Sequence, residues 1–122
     1  MNPFRDQSTF MKSCDQSVGE SNKTQFDLYV NLIAEETQEL ADAIAANDRV
    51  ETLDALIDIM VVTIGAIHSM GADADGAWKE VMSTNFAKVD HDTGKVRKRE
   101  DGKVLKPIGW AAPQLAQFLT KS

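Results

Sequence analysis

The sequence predicts an all-α fold, a four-helix-bundle-like core carrying a short hairpin-like flap near its C-terminal end. Three observations predict it. Apolar residues recur at helical spacing through residues 24–46. A second run of helical character, 49–70, follows after only Asn47 and Asp48, and so short a link makes the two helices antiparallel neighbours. Helical period then stops after Lys88, where glycine, charge and turn residues take over.

Taken in order, Phe4, Phe10 and Met11 mark a short opening helix. The first long helix carries Phe26, Val30, Ile33, Leu40 and Ile44 at steps of three, four or seven, with Ser21 or Thr24 as its cap. The second ends at Gly71, a residue suited to the left-handed position that closes a helix. A third helix starts at Asp73 or Asp75 and runs to about Lys88, with Gly76 a weak point near its start. His91-Asp92-Thr93-Gly94 and Glu100-Asp101-Gly102-Lys103 read as turns flanking an extended segment, the flap. Pro113 is placed to open a final short helix over 114–119. At 122 residues the whole chain, 1–122, makes one domain.

Composition narrows the function. No run of about 18 uncharged apolar residues and no signal-like N-terminus exist, so the expected partners exclude a membrane and the expected location is the cytoplasm. Cys14 is the only cysteine, which rules out an internal disulfide and a cysteine-rich zinc site. The net charge of −6 disfavours long nucleic acid, whose phosphates require an excess of Lys and Arg. That charge is unevenly spread. Up to Gly94 there are six Lys and Arg against 17 Asp and Glu, whereas Lys95, Arg97, Lys98, Arg99, Lys103 and Lys106 crowd one later segment. An acidic body with a basic flap suits a small polyanion held through metal ions.

The acids of the two long helices carry the chemistry. At about 100° per residue, Glu36 lies at the edge of the apolar stripe of the first helix, Glu39 beside it and Glu35 above both. On the second helix Asp58 is the only charged side chain between Ala55 and Ile67, in a run that is apolar nearly all round and therefore expected to be buried on most sides. A lone carboxylate there needs a partner or a metal. Asp54 lies one turn earlier on the same face, with Glu51 behind it. Antiparallel packing lets Glu36 and Glu39 meet Asp54 and Asp58, and such a group must be neutralised. All-oxygen ligation selects Mg²⁺, Mn²⁺ or Ca²⁺ over zinc. A di-iron bundle would want Glu-x-x-His pairs, and neither His68 nor His91 has a Glu three residues before it.

Glu35-Glu36-Thr37-Gln38-Glu39-Leu40 followed by Asp54-Ala55-Leu56-Ile57-Asp58 resembles the acidic motifs of the all-α nucleoside triphosphate pyrophosphohydrolases, the superfamily of MazG, dimeric dUTPases and phosphoribosyl-ATP pyrophosphohydrolase. Thr84-Asn85-Phe86-Ala87-Lys88, Gly94-Lys95 and the segment 99–106 are similar to the tail of the phosphoribosyl-ATP pyrophosphohydrolase-like branch. The resemblance implies hydrolysis of a nucleoside triphosphate to the monophosphate and pyrophosphate. It implies Mg²⁺, with Mn²⁺ as a substitute, held by Glu36, Glu39 and Asp58 together with a fourth acid, Asp54 being the first candidate, and it leaves Glu35 to activate the water or to hold a further metal. Asn85 and Lys88 match substrate-contacting positions of the family, and Lys103 and Lys106 reach the phosphates from the flap. Where MazG-type members carry Glu three residues before the final Asp, this chain has Ala55, which leaves Asp54 and Glu51 as the two candidates for a fourth ligand. A phosphoribosyl-ATP pyrophosphohydrolase of histidine biosynthesis and a non-enzymatic metal-binding scaffold are the rival readings. Apolar groups on every side of the second helix predict a homodimer or dimer of dimers, since so small a chain covers only one face of each helix.

Overall fold

The computed structural model describes residues 2–119. Among them lie four α-helices and a single 3₁₀ turn: α1 (Pro3–Ser13), α2 (Lys23–Ala45), α3 (Arg49–Ser69) and α4 (Ala74–Phe86), then Ala116–Phe118. The chain divides into two compact units, the first holding the described residues up to Ala74 together with Leu119, the second Asp75–Phe118.

The first unit is built on the α2–α3 hairpin, with α1 packed against α3. Each helix starts on a polar side chain that takes up free N–H groups of the first turn. The Asn2 carboxamide oxygen accepts from the amides of Phe4 and Arg5, with Pro3 opening the helix behind it. Asn22 caps α2 by accepting from the Gln25 amide at 3.1 Å, which corrects the expectation of Ser21 or Thr24. Asp48 caps α3 through the Glu51 amide at 3.0 Å. Between the long helices Asn47 takes the left-handed conformation (φ 55°), and Gly71 does so after α3 (φ 76°), so both predicted breaks stand where the sequence places them.

The buried face of α2 differs from the predicted apolar stripe. Val30 and Ile44 are exposed, at 43% and 58%, while Gln25, Tyr29 and Ala43 are the buried residues of that helix. Met11, Tyr29 and Ala66 form the core, with Val18, Phe26, Leu32, Ile33 and Val62 packed against it. Gln25 survives burial because its polar atoms are engaged: the Nε2 group donates to the Ser17 carbonyl and to Ser69 Oγ, both at 2.8 Å, and Oε1 accepts from the Ser17 amide. His68 Nε2 donates to the Phe4 carbonyl at 2.8 Å, tying α1 to α3.

In the second unit the segment after α4 turns twice. Isolated antiparallel bridges join Val89 to Val96 and Lys98 to Val104, with Gly94 (φ 71°) and Gly102 (φ 90°) in the intervening turns. These are the flap turns read from the sequence. Pro113 opens no α-helix; the Gln114 amide donates instead to Glu80 on α4 at 2.7 Å, and the segment ends in the 3₁₀ turn Ala116–Phe118. No helix among the described residues is long and apolar enough to cross a membrane.

Candidate active site

The antiparallel α2–α3 pair, joined by so short a turn, sets residues 36–39 of one helix against 54–58 of the other. Glu36 is half-buried on α2 and Asp58 half-buried on α3, while Glu39 and Asp54 are exposed beside them. Asp58 is thus less enclosed within the single chain than its apolar surroundings in the sequence predict. Loss of water pushes the Glu36 carboxyl up to about 6, helped by a hydrogen bond shared with Glu39 and by the negative charges of Glu39, Asp58 and Asp54. Asp58 is raised by the same causes, first loss of water, then the charge of Asp54, its shared hydrogen bond, and Glu39. Each helix therefore supplies one pair of neighbouring carboxyls, and the two pairs repel across the helix boundary.

Two of the four also open outward. Glu39 and Asp54 line a depression of about 350 Å³ with Asp42, Asp48 and Glu51. Of the two candidates for a fourth ligand, Asp54 acts electrically on both Glu36 and Asp58, whereas Glu51 lines only the depression. Glu35 is exposed and is not among the groups that shift either half-buried acid.

A hard divalent cation fits this donor set in its chemistry. Glu36 Oε2 is shut off from solvent and has no hydrogen-bond partner, a buried lone pair without a donor. Four oxygen-only ligands with upward-shifted members are what a cation would neutralise. As the side chains stand, no three acidic, histidine or cysteine groups among the described residues converge into a ready metal cage.

Within the second unit, the predicted substrate residues divide. Lys88 Nζ donates to Asn85 Oδ1 at 3.1 Å and lies 5.1 Å from the centre of the Trp110 ring; Lys106 Nζ lies 4.8 Å from the same centre. Lys103 stands apart, its backbone amide donating to Asp101. Trp110 is a residue that reasoning from the sequence missed. Its only signal was a lone indole in the Gly- and Pro-containing stretch 107–113, without helical period to give it a face.

A sequence profile of the family phosphoribosyl-ATP pyrophosphohydrolase matches residues 7–85, more than half of the chain. The chain belongs to this family. It is accordingly an enzyme, a pyrophosphohydrolase of the all-α MazG-like superfamily acting on phosphoric anhydrides, and its family typically depends on a divalent metal. No curated protein sequence matches the chain. The matched segment of this pyrophosphohydrolase contains all four clustered carboxylates and closes on Asn85; Lys88, Lys103, Lys106 and Trp110 lie beyond it.

The repulsion has a pH signature. Glu36 binds its proton more tightly folded than unfolded, so its contribution to stability is full below its ordinary value of 4.5 and is lost as pH rises through about 6. Asp58 acts in the same direction. Thermal melts in excess chelator should show the metal-free enzyme losing stability across that window, and Glu36→Gln should flatten the loss. A parent and a variant with identical pH profiles would dissolve the cluster as an electrostatic unit.

Proposed function

We propose that this pyrophosphohydrolase is a Mg²⁺-dependent nucleoside triphosphate pyrophosphohydrolase, cleaving a (d)NTP with water into the (d)NMP and pyrophosphate and so clearing the nucleotide pool. The observation that carries the reading is the unpartnered, buried Glu36 Oε2 within a group of four carboxylates. Glu36, Glu39, Asp54 and Asp58 are the residues that would hold the cation. A bound Mg²⁺ or Mn²⁺ supplies charge neutralisation and Lewis-acid polarisation at phosphate oxygens. Glu35, the exposed carboxylate next to Glu36, accepts a proton from the attacking water. The water oxygen bonds to phosphorus at the anhydride, the bridging P–O bond breaks, and pyrophosphate leaves. Asn85, Lys88, Lys103 and Lys106 hold the phosphate chain. A cytoplasmic location goes with this reading, because triphosphates are made and spent there.

The family description favours a second reading, phosphoribosyl-ATP as substrate. That molecule carries a further phosphate far from its triphosphate and calls for two separated anion sites. Six of the 13 basic residues instead crowd 95–106, which supports one phosphate chain. The test is pyrophosphate release from a panel of ribo- and deoxynucleoside triphosphates and phosphoribosyl-ATP, with Mg²⁺, Mn²⁺ or excess chelator. Pyrophosphate from a nucleoside triphosphate only with added metal is expected; turnover confined to phosphoribosyl-ATP, or undiminished in chelator, would reject the proposal.

The same reading includes a homodimer, or a dimer of dimers. Its support is the outer face of α3, where Val50, Leu53, Ile57 and Met60 are each at least half exposed. A face this apolar is covered most simply by its own copy across a two-fold axis. Light scattering should give at least twice the chain mass of 13.4 kDa at micromolar concentration, and an active species of 13.4 kDa would exclude it.

A further inference from the structure

Two ammonium groups brought to one indole repel each other, so an arrangement that holds both needs an attraction and an anchor. The π-face of Trp110 supplies the attraction, with Lys88 Nζ 5.1 Å and Lys106 Nζ 4.8 Å from the ring centre. The anchor is the indole Nε1–H, which donates at 2.7 Å to the carbonyl of Thr84. That carbonyl belongs to the last turn of α4, where acceptors lack a helical partner, so the bond fixes a half-buried ring at no cost to the helix ladder. Asn85 adds a second hold on Lys88 through its Oδ1.

Charge pairing elsewhere in this unit sharpens the contrast. Arg99 is paired bidentately with Asp101, so the segment after α4 does join cations to acids. Among the described residues neither Lys88 nor Lys106 forms an ion pair. The outcome is two positive charges from positions 18 residues apart, held at one ring and left without counter-charge. A group with two adjacent phosphates offers the matching charge and several acceptor oxygens. All of these residues lie within the second unit, and Lys88, Lys106 and Trp110 all fall after the segment matched by the family profile.

We infer that Lys88 and Lys106, gathered on the Trp110 ring and steadied by Asn85, form a subsite for a diphosphate group, and that Trp110 is the positioning residue of that subsite. Its assignment to the phosphate chain of the substrate, or to the pyrophosphate product, rests on the function proposed above; the affinity for a diphosphate group does not.

Binding of inorganic pyrophosphate to the full chain, measured by calorimetry in excess chelator, tests it. Without metal the carboxylates of α2 and α3 repel that ligand, so the lysine subsite is read alone. Lys106→Gln and Trp110→Leu should each weaken binding about tenfold, the scale of one charge-assisted contact. Trp110→Phe, which keeps a π-face but loses the Nε1–H bond to Thr84, should restore only part of it. Should Trp110→Leu fail to fold, Lys106→Gln and Trp110→Phe still decide, because the first leaves the anchor and the second leaves the ring. In turnover with metal, Trp110→Leu should raise KM about tenfold with little change in kcat, since the lost contact is made before and during the reaction alike.

Pyrophosphate binding that is the same in the parent, Lys106→Gln and Trp110→Leu would overturn the inference. So would a Trp110→Leu chain that still binds pyrophosphate but no longer binds a nucleoside, the signature of a base-stacking platform. A parent that hydrolyses no triphosphate yet binds pyrophosphate through these residues would sink the proposed function and leave the subsite standing. Triphosphate turnover untouched by Lys106→Gln and Trp110→Leu would leave the proposed function standing and overturn the assignment of the subsite to the substrate.

Discussion

Asp58→Asn is expected to lower kcat by at least about 10²-fold, since even outer-shell partners of metal ligands cost 10–100-fold when removed. The same variant should melt at a higher temperature than the parent when both are free of metal. The two effects have opposite signs for one reason. Asn keeps the shape of Asp but removes a negative charge from the group formed with Glu36, Glu39 and Asp54, where burial and like charge already raise Glu36 and Asp58. Repulsion in the folded state therefore falls, while an oxygen ligand is lost. Glu39→Gln should behave alike. An aspartate that merely supported packing would give the other pattern, with activity and stability falling together. Melts with and without Mg²⁺ plus a non-hydrolysable triphosphate complete the test, because a ligand that binds only the folded state raises its stability and the variant should forfeit most of that gain. Parental kcat, or a metal-free melting temperature below the parent's, would remove Asp58 from the site.

What the sequence revealed, and what it concealed, divides along physical lines. The hairpin of α2 and α3 was legible because periodicity, the Asn47-Asp48 break and Gly71 are local signals, each sufficient within a few residues. Glu36, Glu39, Asp54 and Asp58 were legible because helical spacing alone puts acids three and four apart on one face, and an antiparallel link then opposes them. The buried face of α2 was not. Gln25 looks like a solvent-facing residue until Ser69, 44 positions later, is known to receive its carboxamide. A polar side chain becomes a core residue only through a partner, and partners at that distance leave no periodic trace. Trp110 is hidden in the same way, since its hydrogen bond to Thr84 spans 26 positions of mostly irregular chain. The final helix was overread from Pro113, a residue that tolerates a helix start without requiring one.

Gly65 shows a third kind of concealment, and it supplies the other large effect. Inside a helix glycine costs about 1 kcal/mol relative to alanine, so Gly65, in the C-terminal third of α3, looks like a weakness in the sequence. It is the contact point of the hairpin. A Cβ at that position would stand 2.5 Å from Tyr29 Cδ1 and 2.6 Å from Cζ, and nearer still to Cε1. The ring cannot simply step aside, because Tyr29 is buried between Met11 and Ala66 and its hydroxyl donates to Gln16 at 2.5 Å. Gly65→Ala should therefore cost about 3 kcal/mol in forced repacking, the upper part of the overpacking range, against about 1 kcal/mol gained in helix propensity. The net loss of about 2 kcal/mol corresponds to a fall of roughly 8 °C in Tm for a chain of this size. Activity should drop as well, below the melting range, since Asp58 lies two turns from Gly65 on the same helix and a wider hairpin draws the two carboxyl pairs apart. Replacing Tyr29 with Leu in the Gly65→Ala background should return part of both losses, giving a double-mutant coupling that either substitution alone lacks. A Gly65→Ala protein that melts within about 1 °C of the parent, against the expected fall of roughly 8 °C, would mean that the α2–α3 pair does not close on the Tyr29 ring.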